Sequence, residues 1–204
     1  AALREAARAR GRASLAVSGG STPARFFERL AQIELPWSQV VVTLVDERWV
    51  DETSPRSNAV LVRHHLLQGP AAAARFLPLH REVPAPEDAL AALEHELAPL
   101  LPLDVAVLGM GEDGHTASFF PGGDHLAAAL DPHAGARVLP MRAPGAGEPR
   151  ITLTLAVLAQ ARELFLHIEG QAKAQVLEQA AARHLPIAAA LAAATRPVQV
   201  WWAP

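Results

Sequence analysis

The sequence predicts an α/β fold in which helices cover both faces of a mostly parallel sheet. Apolar, strand-like segments alternate with segments of helical spacing along the 204 residues, an order typical of parallel sheets. The strand-like segments are apolar almost throughout, as expected of strands buried on both faces. Polar segments directly follow four of these strands. Because ligands of such sheets bind outside the carboxyl ends of the strands, we expect a single site there.

Each element is predicted from its own pattern. The alanine- and arginine-rich start, residues 1–12, predicts an amphipathic helix. Strands or extended segments are predicted at 13–18, 39–46, 103–110, 137–143, 150–154, 163–170 and 198–202. Helices are predicted at 23–31, 57–67, 86–100, 155–161, 171–183 and 185–195. Pro23 fits the first turn of its helix, and Ser57 or Asn58 fits a helix cap. Neither a repeat nor a long linker is visible, so we expect one domain over residues 1–204.

Composition narrows the classes of function. A formal net charge of −3 gives no general attraction to nucleic acid or to an anionic membrane. No apolar run reaches the roughly 18–20 residues of a membrane span. The absence of cysteine removes disulfides and thiolate metal ligands and suits the cytoplasm, and no histidine or carboxylate spacing predicts a metal. We therefore expect a cytoplasmic monomer that acts on a small molecule, without a nucleic-acid or membrane partner.

The first polar segment, Ser18–Pro23, follows the first strand. Gly19 and Gly20 allow backbone N–H groups to approach an anion, and the following helix directs its positive end toward them. The hydroxyls of Ser21 and Thr22 add donors. The segment predicts a site for a phosphate or for sugar hydroxyls; the alternative is an ordinary turn in which Ser21 or Thr22 caps the helix.

The second segment, Asp46–Val50, places acids and an arginine just past a buried strand. Asp46 can align sugar hydroxyls, and the planar guanidinium of Arg48 suits a phosphate. The alternative is a surface salt bridge.

The third segment, residues 108–122, surrounds His115 with acids and glycines. A histidine with an ordinary pKa near 6.5 can accept a proton at neutral pH, and Asp113 or Glu112 can orient its ring. Interleaved glycines allow a sharp path and expose backbone N–H groups as a possible oxyanion site: Gly109, Gly111 and Gly114. The other eight histidines, His167 among them, are expected to be surface or packing residues.

The fourth segment, residues 167–173, ends a strand at a glycine and brings Lys173 into the first turn of a helix. Lys173 is the only lysine among 18 basic residues. A lysine there opposes the helix dipole unless an anion is present, which favours a phosphate contact. Arg150 opens an extended segment and is a second cation that can converge on the same place.

Together these segments resemble the 6-phosphogluconolactonase family in order and spacing. The matching motifs are SGGSTP, DERWV with the later Ser57-Asn58, GMGEDGHTASFFP, RITLT and EGQAK, of which GMGEDGHTASFFP is the most specific. The resemblance covers nearly the whole chain, short of a leading strand and part of the first helix that the family leads us to expect. It implies a modified Rossmann-like, three-layer α/β/α sandwich similar to glucosamine-6-phosphate deaminase and ribose-5-phosphate isomerase.

The resemblance implies hydrolysis of 6-phospho-D-glucono-1,5-lactone to 6-phosphogluconate in the pentose phosphate pathway, without a metal or organic cofactor. His115 would activate water, with Asp113 orienting it, and Arg48 or backbone N–H groups would meet the oxyanion. Asp46 would hold sugar hydroxyls. The phosphate would be held by Lys173, by Arg48 or Arg150, and by the first polar segment: Gly19, Gly20, Ser21 and Thr22.

Two alternatives remain at this stage. Glucosamine-6-phosphate deaminases share the Asp-Gly-His motif, but they carry a glutamate where this chain has Phe120 and a tyrosine where it has Arg48. A phenylalanine cannot move a proton, so the lactonase is favoured. A non-catalytic sugar-phosphate sensor would use the same pocket without needing His115, but no basic DNA-binding segment is visible in the sequence.

Overall fold

In the computed structural model, which describes residues 1–20 and 22–204, eight α-helices and nine strands follow one another along the chain. The strands are β1 Ala13–Val17, β2 Val40–Leu44, β3 Asp46–Arg48, β4 Arg75–Leu77, β5 Val105–Leu108, β6 Val138–Met141, β7 Arg150–Leu153, β8 Glu163–Glu169 and β9 Gln199–Ala203. The helices are α1 Ala2–Arg10, α2 Ala24–Ala31, α3 Asn58–His65, α4 Pro86–Leu97, α5 Leu126–Ala129, α6 Leu155–Leu158, α7 Gln171–Gln179 and α8 Pro186–Ala193.

The main sheet has six strands in the order β4-β2-β1-β5-β8-β9, and all five of its pairings are parallel. The chain runs from β1 to β2 on one side and later enters β5 on the other side of β1. The carboxyl ends of β1 and β5 therefore form the switch point at which ligands of such sheets bind. The predicted α/β fold with a mostly parallel sheet is confirmed.

A second, three-stranded antiparallel sheet, in the order β3-β7-β6, was not predicted. We expected one strand over 39–46 followed by a loop. Instead the chain changes sheets at Val45, whose N–H donates to Val17 O in the main sheet (2.9 Å) and whose carbonyl accepts from Leu153 N in the second sheet (2.8 Å). Asp46 is thus the first residue of β3 rather than the end of a long strand.

The helix starts follow the expected local chemistry, with one difference. Ser57 caps α3, and its hydroxyl accepts from Ala59 N and Val60 N. Pro23 takes the cap position of α2 instead of its first turn.

The core lies on both sides of the main sheet's central strands. β1 and β5 are buried at every residue, and the largest fully buried side chains include Phe27 of α2 and Phe119 within the third polar segment. On β9, at one edge of the main sheet, Trp201 and Trp202 remain exposed. Within residues 1–20 and 22–204, no helix is long and apolar enough to span a membrane.

Candidate active site

A cleft of about 230 Å³ lies at the carboxyl ends of the main-sheet strands and receives side chains from all four polar segments. Eight of the ten residues predicted for the site line it: Gly19, Gly20, Thr22, Asp46, Arg48, His115, Arg150 and Lys173. Asp113 is not part of the lining but contacts His115. Ser21 lies outside the described residues. Arg150 reaches the cleft because β7 pairs with β3, with Arg150 opposite Arg48.

His115 is held by the loop that follows β5. Its Nδ1 lies 2.5 Å from Asp113 Oδ1, and its own backbone N–H donates to the same oxygen (3.1 Å). When Nδ1–H donates a hydrogen bond to Asp113, the ring's lone pair is on Nε2, the nitrogen that a general base uses. Gly111 makes room for the ring, because a Cβ there would lie 2.3 Å from His115 Nδ1.

The glycine N–H groups of this loop are only partly open to a ligand. Gly111 N–H donates to His115 O (2.9 Å), and Gly114 N–H donates to Gly111 O (3.0 Å). The oxyanion donors expected from Gly111 and Gly114 are therefore already engaged in holding the loop, and the expectation for these two residues was wrong.

Phe120 forms an apolar support between two functional side chains. Its ring centre lies 4.2 Å from that of His115, and the Arg150 guanidinium lies 5.2 Å from the Phe120 ring centre. Phe120 is 3% exposed. The position at which deaminases of similar sequence carry an acid is therefore filled by a buried ring that packs against His115.

Asp46, the first residue of β3, links the second sheet to the His115 loop. Ser118 Oγ donates to Asp46 Oδ2 at 2.6 Å, and Arg150 Nη1 lies 3.9 Å from the same oxygen. Arg150 also donates to Ala146 O (2.7 Å). Burial lowers the pKa of Arg150 from its ordinary value, and the Asp46 carboxylate opposes that effect. Asp46 thus connects a cleft arginine to the loop that carries His115.

Arg48 and Lys173 bring positive charge to the cleft from different elements. The Arg48 guanidinium donates to Arg56 O; in the described part of the chain it forms no salt bridge, so the surface-salt-bridge alternative does not describe it. Lys173, in the first turn of α7, lies 3.3 Å from Thr22 Oγ1. A cation and a hydroxyl therefore meet beside the start of α2, where backbone N–H groups favour an anion.

Asn58 is a cleft residue that the sequence analysis named as a possible helix cap and as part of a matching motif, without a role in the site. Its Nδ2 donates to Asp46 O (2.9 Å), and its side chain lies against Gly19, where a Cβ would fall 1.8 Å from Asn58 Oδ1. Only glycine at position 19 allows this approach. No sequence signal separates this role from that of an ordinary residue in a first helical turn.

His167 was expected to be a surface or packing residue, but this prediction missed its place in the cleft lining. It packs against Phe26 (ring centres 5.8 Å apart) and has Nε2 3.6 Å from Glu169 Oε1, but it also lines the cleft beside Lys173. Strand alternation within β8 carried the relevant signal, because the partly exposed positions 165, 167 and 169 share one face.

Glu47, between Asp46 and Arg48, is fully buried. Burial raises the pKa of its carboxyl from 4.5 to about 7, against the lowering effect of hydrogen bonds from the backbone N–H groups of Asn58, Ala59 and Arg48. Within the described residues, no group of three or more histidine, cysteine or acidic side chains is arranged to hold a metal ion.

Comparison with known proteins shows the family of this chain. The model of the glucosamine-6-phosphate isomerases/6-phosphogluconolactonase family matches residues 1–202. The chain belongs to this family. A 6-phosphogluconolactonase of Mesorhizobium japonicum is 54% identical over 198 residues, covering 96% of this chain and 83% of that protein. One of Pseudomonas aeruginosa is 47% identical over 207 residues, covering 99% and 86%.

Solved structures of the family have the same fold. The crystal structure of a 6-phosphogluconolactonase from Shewanella baltica superposes with a TM-score of 0.88 at 40% identity, covering 99% of this chain and 88% of that one. The enzyme of Trypanosoma brucei gives a TM-score of 0.81 at 25% identity, covering 98% and 88%. The family and the fold expected from the sequence are confirmed.

The contact between Gly19 and Asn58 generates the first prediction. Gly19→Ala should displace the Asn58 side chain, break its bond to Asp46 O and lower the free energy of unfolding by about 1–3 kcal/mol, the usual cost of overpacking. Urea unfolding measures this. Gly135→Ala is the control, because a Cβ there meets nothing within 4 Å, and its effect should stay within about 0.5 kcal/mol. In the double variant Gly19→Ala/Asn58→Ala the loss of stability should be smaller than the sum of the two single losses, because truncating Asn58 removes the clash with the new Cβ. A loss equal to that sum would contradict the proposed contact.

The second prediction concerns the pH dependence of stability. Because the pKa of Glu47 is raised from 4.5 to about 7, the folded chain keeps a proton between these pH values that the unfolded chain has lost. The stabilising contribution is complete below pH 4.5 and disappears as the pH rises through 7. At about 1.4 kcal/mol per pKa unit, the loss is on the order of 3 kcal/mol.

Replacement of Glu47 by glutamine removes this titration. In urea unfolding from pH 4.5 to 7, wild type should lose stability relative to Glu47→Gln, and above that range the two should run parallel. Glu112→Gln, which changes an exposed acid, should follow wild type throughout. Identical pH profiles for wild type and Glu47→Gln would show that Glu47 does not titrate in this window.

Proposed function

We propose that this chain hydrolyses 6-phospho-D-glucono-1,5-lactone to 6-phospho-D-gluconate, the lactone-opening step of the oxidative pentose phosphate pathway. One observation supports this most directly: a histidine paired with a carboxylate shares a cleft with a lysine–threonine pair at the start of a helix. The first pair suits a general base for water, and the second suits a phosphate. The names and the 54% and 47% identities of the relatives agree with this activity.

In the proposed complex the phosphate binds beside the start of α2. Lys173 Nζ and Thr22 Oγ1 are 3.3 Å apart, so one phosphate oxygen can contact both. The backbone of Gly19 and Gly20 completes the site, with Ser21 as a further expected donor. Asp46 is suited to the sugar hydroxyls, because Ser118 donates only to its Oδ2, and Oδ1 accepts no hydrogen bond from the described residues.

Hydrolysis then proceeds at the lactone carbonyl. His115 Nε2 takes a proton from water as the water oxygen attacks the carbonyl carbon, which gives a tetrahedral oxyanion. The oxyanion collapses, the bond between that carbon and the ring oxygen breaks, and the ring oxygen takes the proton from His115. Asp113 stabilises the imidazolium that forms in between, since it lies 2.5 Å from Nδ1.

Arg48 is the donor we assign to the oxyanion. Two loop glycines use their N–H groups internally, whereas Arg48 lines the cleft. Arg150 supports Asp46 from the neighbouring strand and adds positive charge. Ring opening by a deaminase mechanism is disfavoured, because the buried Phe120 supplies no second proton-transfer group next to His115.

We further propose that the chain acts as one domain over residues 1–204, because segments from Gly19 to Lys173 converge on the cleft. A location in the cytoplasm fits the absence of cysteine. The monomer expected from the sequence stays a prediction.

The role of His115 is tested by His115→Ala. Loss of the general base should lower kcat by at least about a hundredfold, while 6-phosphogluconate still binds. The assay generates the lactone with glucose-6-phosphate dehydrogenase and subtracts its spontaneous hydrolysis. His125→Ala is a matched control, because His125 also pairs with a neighbouring aspartate, Asp124 (3.0 Å), but does so outside the cleft lining. Near-normal turnover of His115→Ala would refute the mechanism. A wild-type chain that binds 6-phosphogluconate but does not hydrolyse the lactone would indicate a sugar-phosphate sensor.

The role of Lys173 is tested by Lys173→Ala. The variant should mainly raise KM for the phosphorylated lactone, by about tenfold or more for a lost charge-assisted contact, with little effect on unphosphorylated glucono-1,5-lactone. Arg183→Ala removes a positive charge at an exposed position just beyond α7 and should leave both substrates unaffected. An equal loss of activity on the two lactones would exclude phosphate binding by Lys173.

A further inference from the structure

The most unusual buried group that the proposed mechanism does not use is the Glu47 carboxylate. Side chains alternate between the two faces of a strand, so Asp46 and Arg48 of β3 share one face and line the cleft, while Glu47 points to the other. Glu47 is fully buried there and, in the described part of the chain, forms no salt bridge. An unpaired acid in a protein interior is costly unless hydrogen bonds hold it.

Four donors surround this carboxylate. Oε1 accepts from Arg48 N (2.8 Å) and Asn58 N (2.7 Å). Oε2 accepts from Ala59 N (2.7 Å) and Ser57 Oγ (3.1 Å). Three of these donors belong to the start of α3, whose positive dipole end favours a negative charge. One carboxylate therefore joins β3 to the first turn of α3.

The two elements that Glu47 joins both carry parts of the cleft. β3 supplies Asp46 and Arg48, and the first turn of α3 supplies Asn58. Asn58 in turn donates to Asp46 O and lies against Gly19 in the loop after β1. A movement of α3 relative to β3 would therefore shift the groups assigned to the sugar hydroxyls, the oxyanion and the phosphate loop together.

We propose that Glu47 is a positioning residue for lactone hydrolysis: its carboxylate spans from β3 to α3 and sets the distance between Arg48, Asp46 and Asn58. The inference rests on the proposed function for its kinetic part and on the hydrogen-bond geometry alone for its structural part. Glu47 touches no substrate in this account. What matters is the length of the side chain and its acceptor oxygens, more than its charge.

Two variants separate length from charge. Glu47→Gln keeps the length and one oxygen, which can continue to accept from Arg48 N and Asn58 N, while its amide group donates to Ser57 Oγ. Glu47→Asp keeps the charge but is one methylene shorter and cannot reach both elements. We expect Glu47→Asp to lower kcat/KM by at least about tenfold, with kcat reduced as Arg48 is displaced, because misplacement by about 1 Å costs up to about a hundredfold.

Glu47→Gln should keep kcat/KM within about threefold of the wild-type value. This change is smaller than the effect of losing one hydrogen bond to a charged group. The matched control is Asp104, a second buried acid, which precedes β5 at the opposite end of the sheet and is held by Arg10 and Ser14. Asp104→Ala should lower the melting temperature but leave kcat and KM unchanged. Such a result shows that loss of stability alone does not impair the cleft.

Amide hydrogen exchange gives a readout that is independent of activity. In Glu47→Asp the amide of Asn58 should exchange at least about tenfold faster than in wild type, since it loses its acceptor, whereas the amide of Ala59 keeps Ser57 Oγ as a second acceptor. In Glu47→Gln the Asn58 amide should stay protected. Unchanged exchange in Glu47→Asp, or kinetic losses no greater than those of Asp104→Ala, would overturn the proposal. If wild type shows no lactonase activity, the proposed function fails, and the exchange comparison still decides whether Glu47 holds α3 against β3.

Discussion

The site depends on the backbone of Val45, at which the chain passes from one sheet into the other. Its N–H donates to Val17 O at the carboxyl end of β1, and its carbonyl accepts from Leu153 N of the second sheet. This pair of bonds places β3 across the carboxyl ends of the parallel strands. Because backbone hydrogen bonds in a buried sheet must be satisfied, the position of β3 has little freedom, and the side chains of Asp46 and Arg48 are carried to the cleft with it.

Positive side chains are concentrated in the cleft, which suits a phosphorylated substrate. The chain has a net charge of −3, yet three cations line this one cleft: Arg48, Arg150 and Lys173. The surroundings of His115, the proposed base, are different. His115 lies between the carboxylate of Asp113 and the apolar ring of Phe120. The carboxylate orients the imidazole through a hydrogen bond, and the phenyl ring packs against one face of it. The arrangement suits proton transfer from water to His115 better than the paired acid–base chemistry that ring opening of an amino sugar needs.

Much of the fold and part of the site could be predicted, because both follow from short-range patterns. Apolar runs placed the strands β1, β5 and β8, and parallel topology brought together the polar segments that follow them. The second sheet could not be predicted in this way. β3 has three residues, all polar, and its partner β7 lies about a hundred residues further along the chain; only tertiary contact decides that they pair.

The missed residues have the same explanation. Asn58 and Ser118 gain their roles from Asp46, a distant residue in sequence. Glutamate is usually found at protein surfaces. Glu47 is buried because the first turn of α3 packs over it and donates hydrogen bonds to its carboxylate. In each case the side chain is ordinary in sequence, and its function depends on which element packs against it.

The most direct test of the central claim is the rate at which freshly generated 6-phosphogluconolactone disappears in the presence of the wild-type chain. The lactone opens spontaneously, so the decisive quantity is the rate above that background. The account predicts a rate that rises in proportion to protein concentration and saturates with lactone. A rate equal to the spontaneous one at every protein concentration would contradict it.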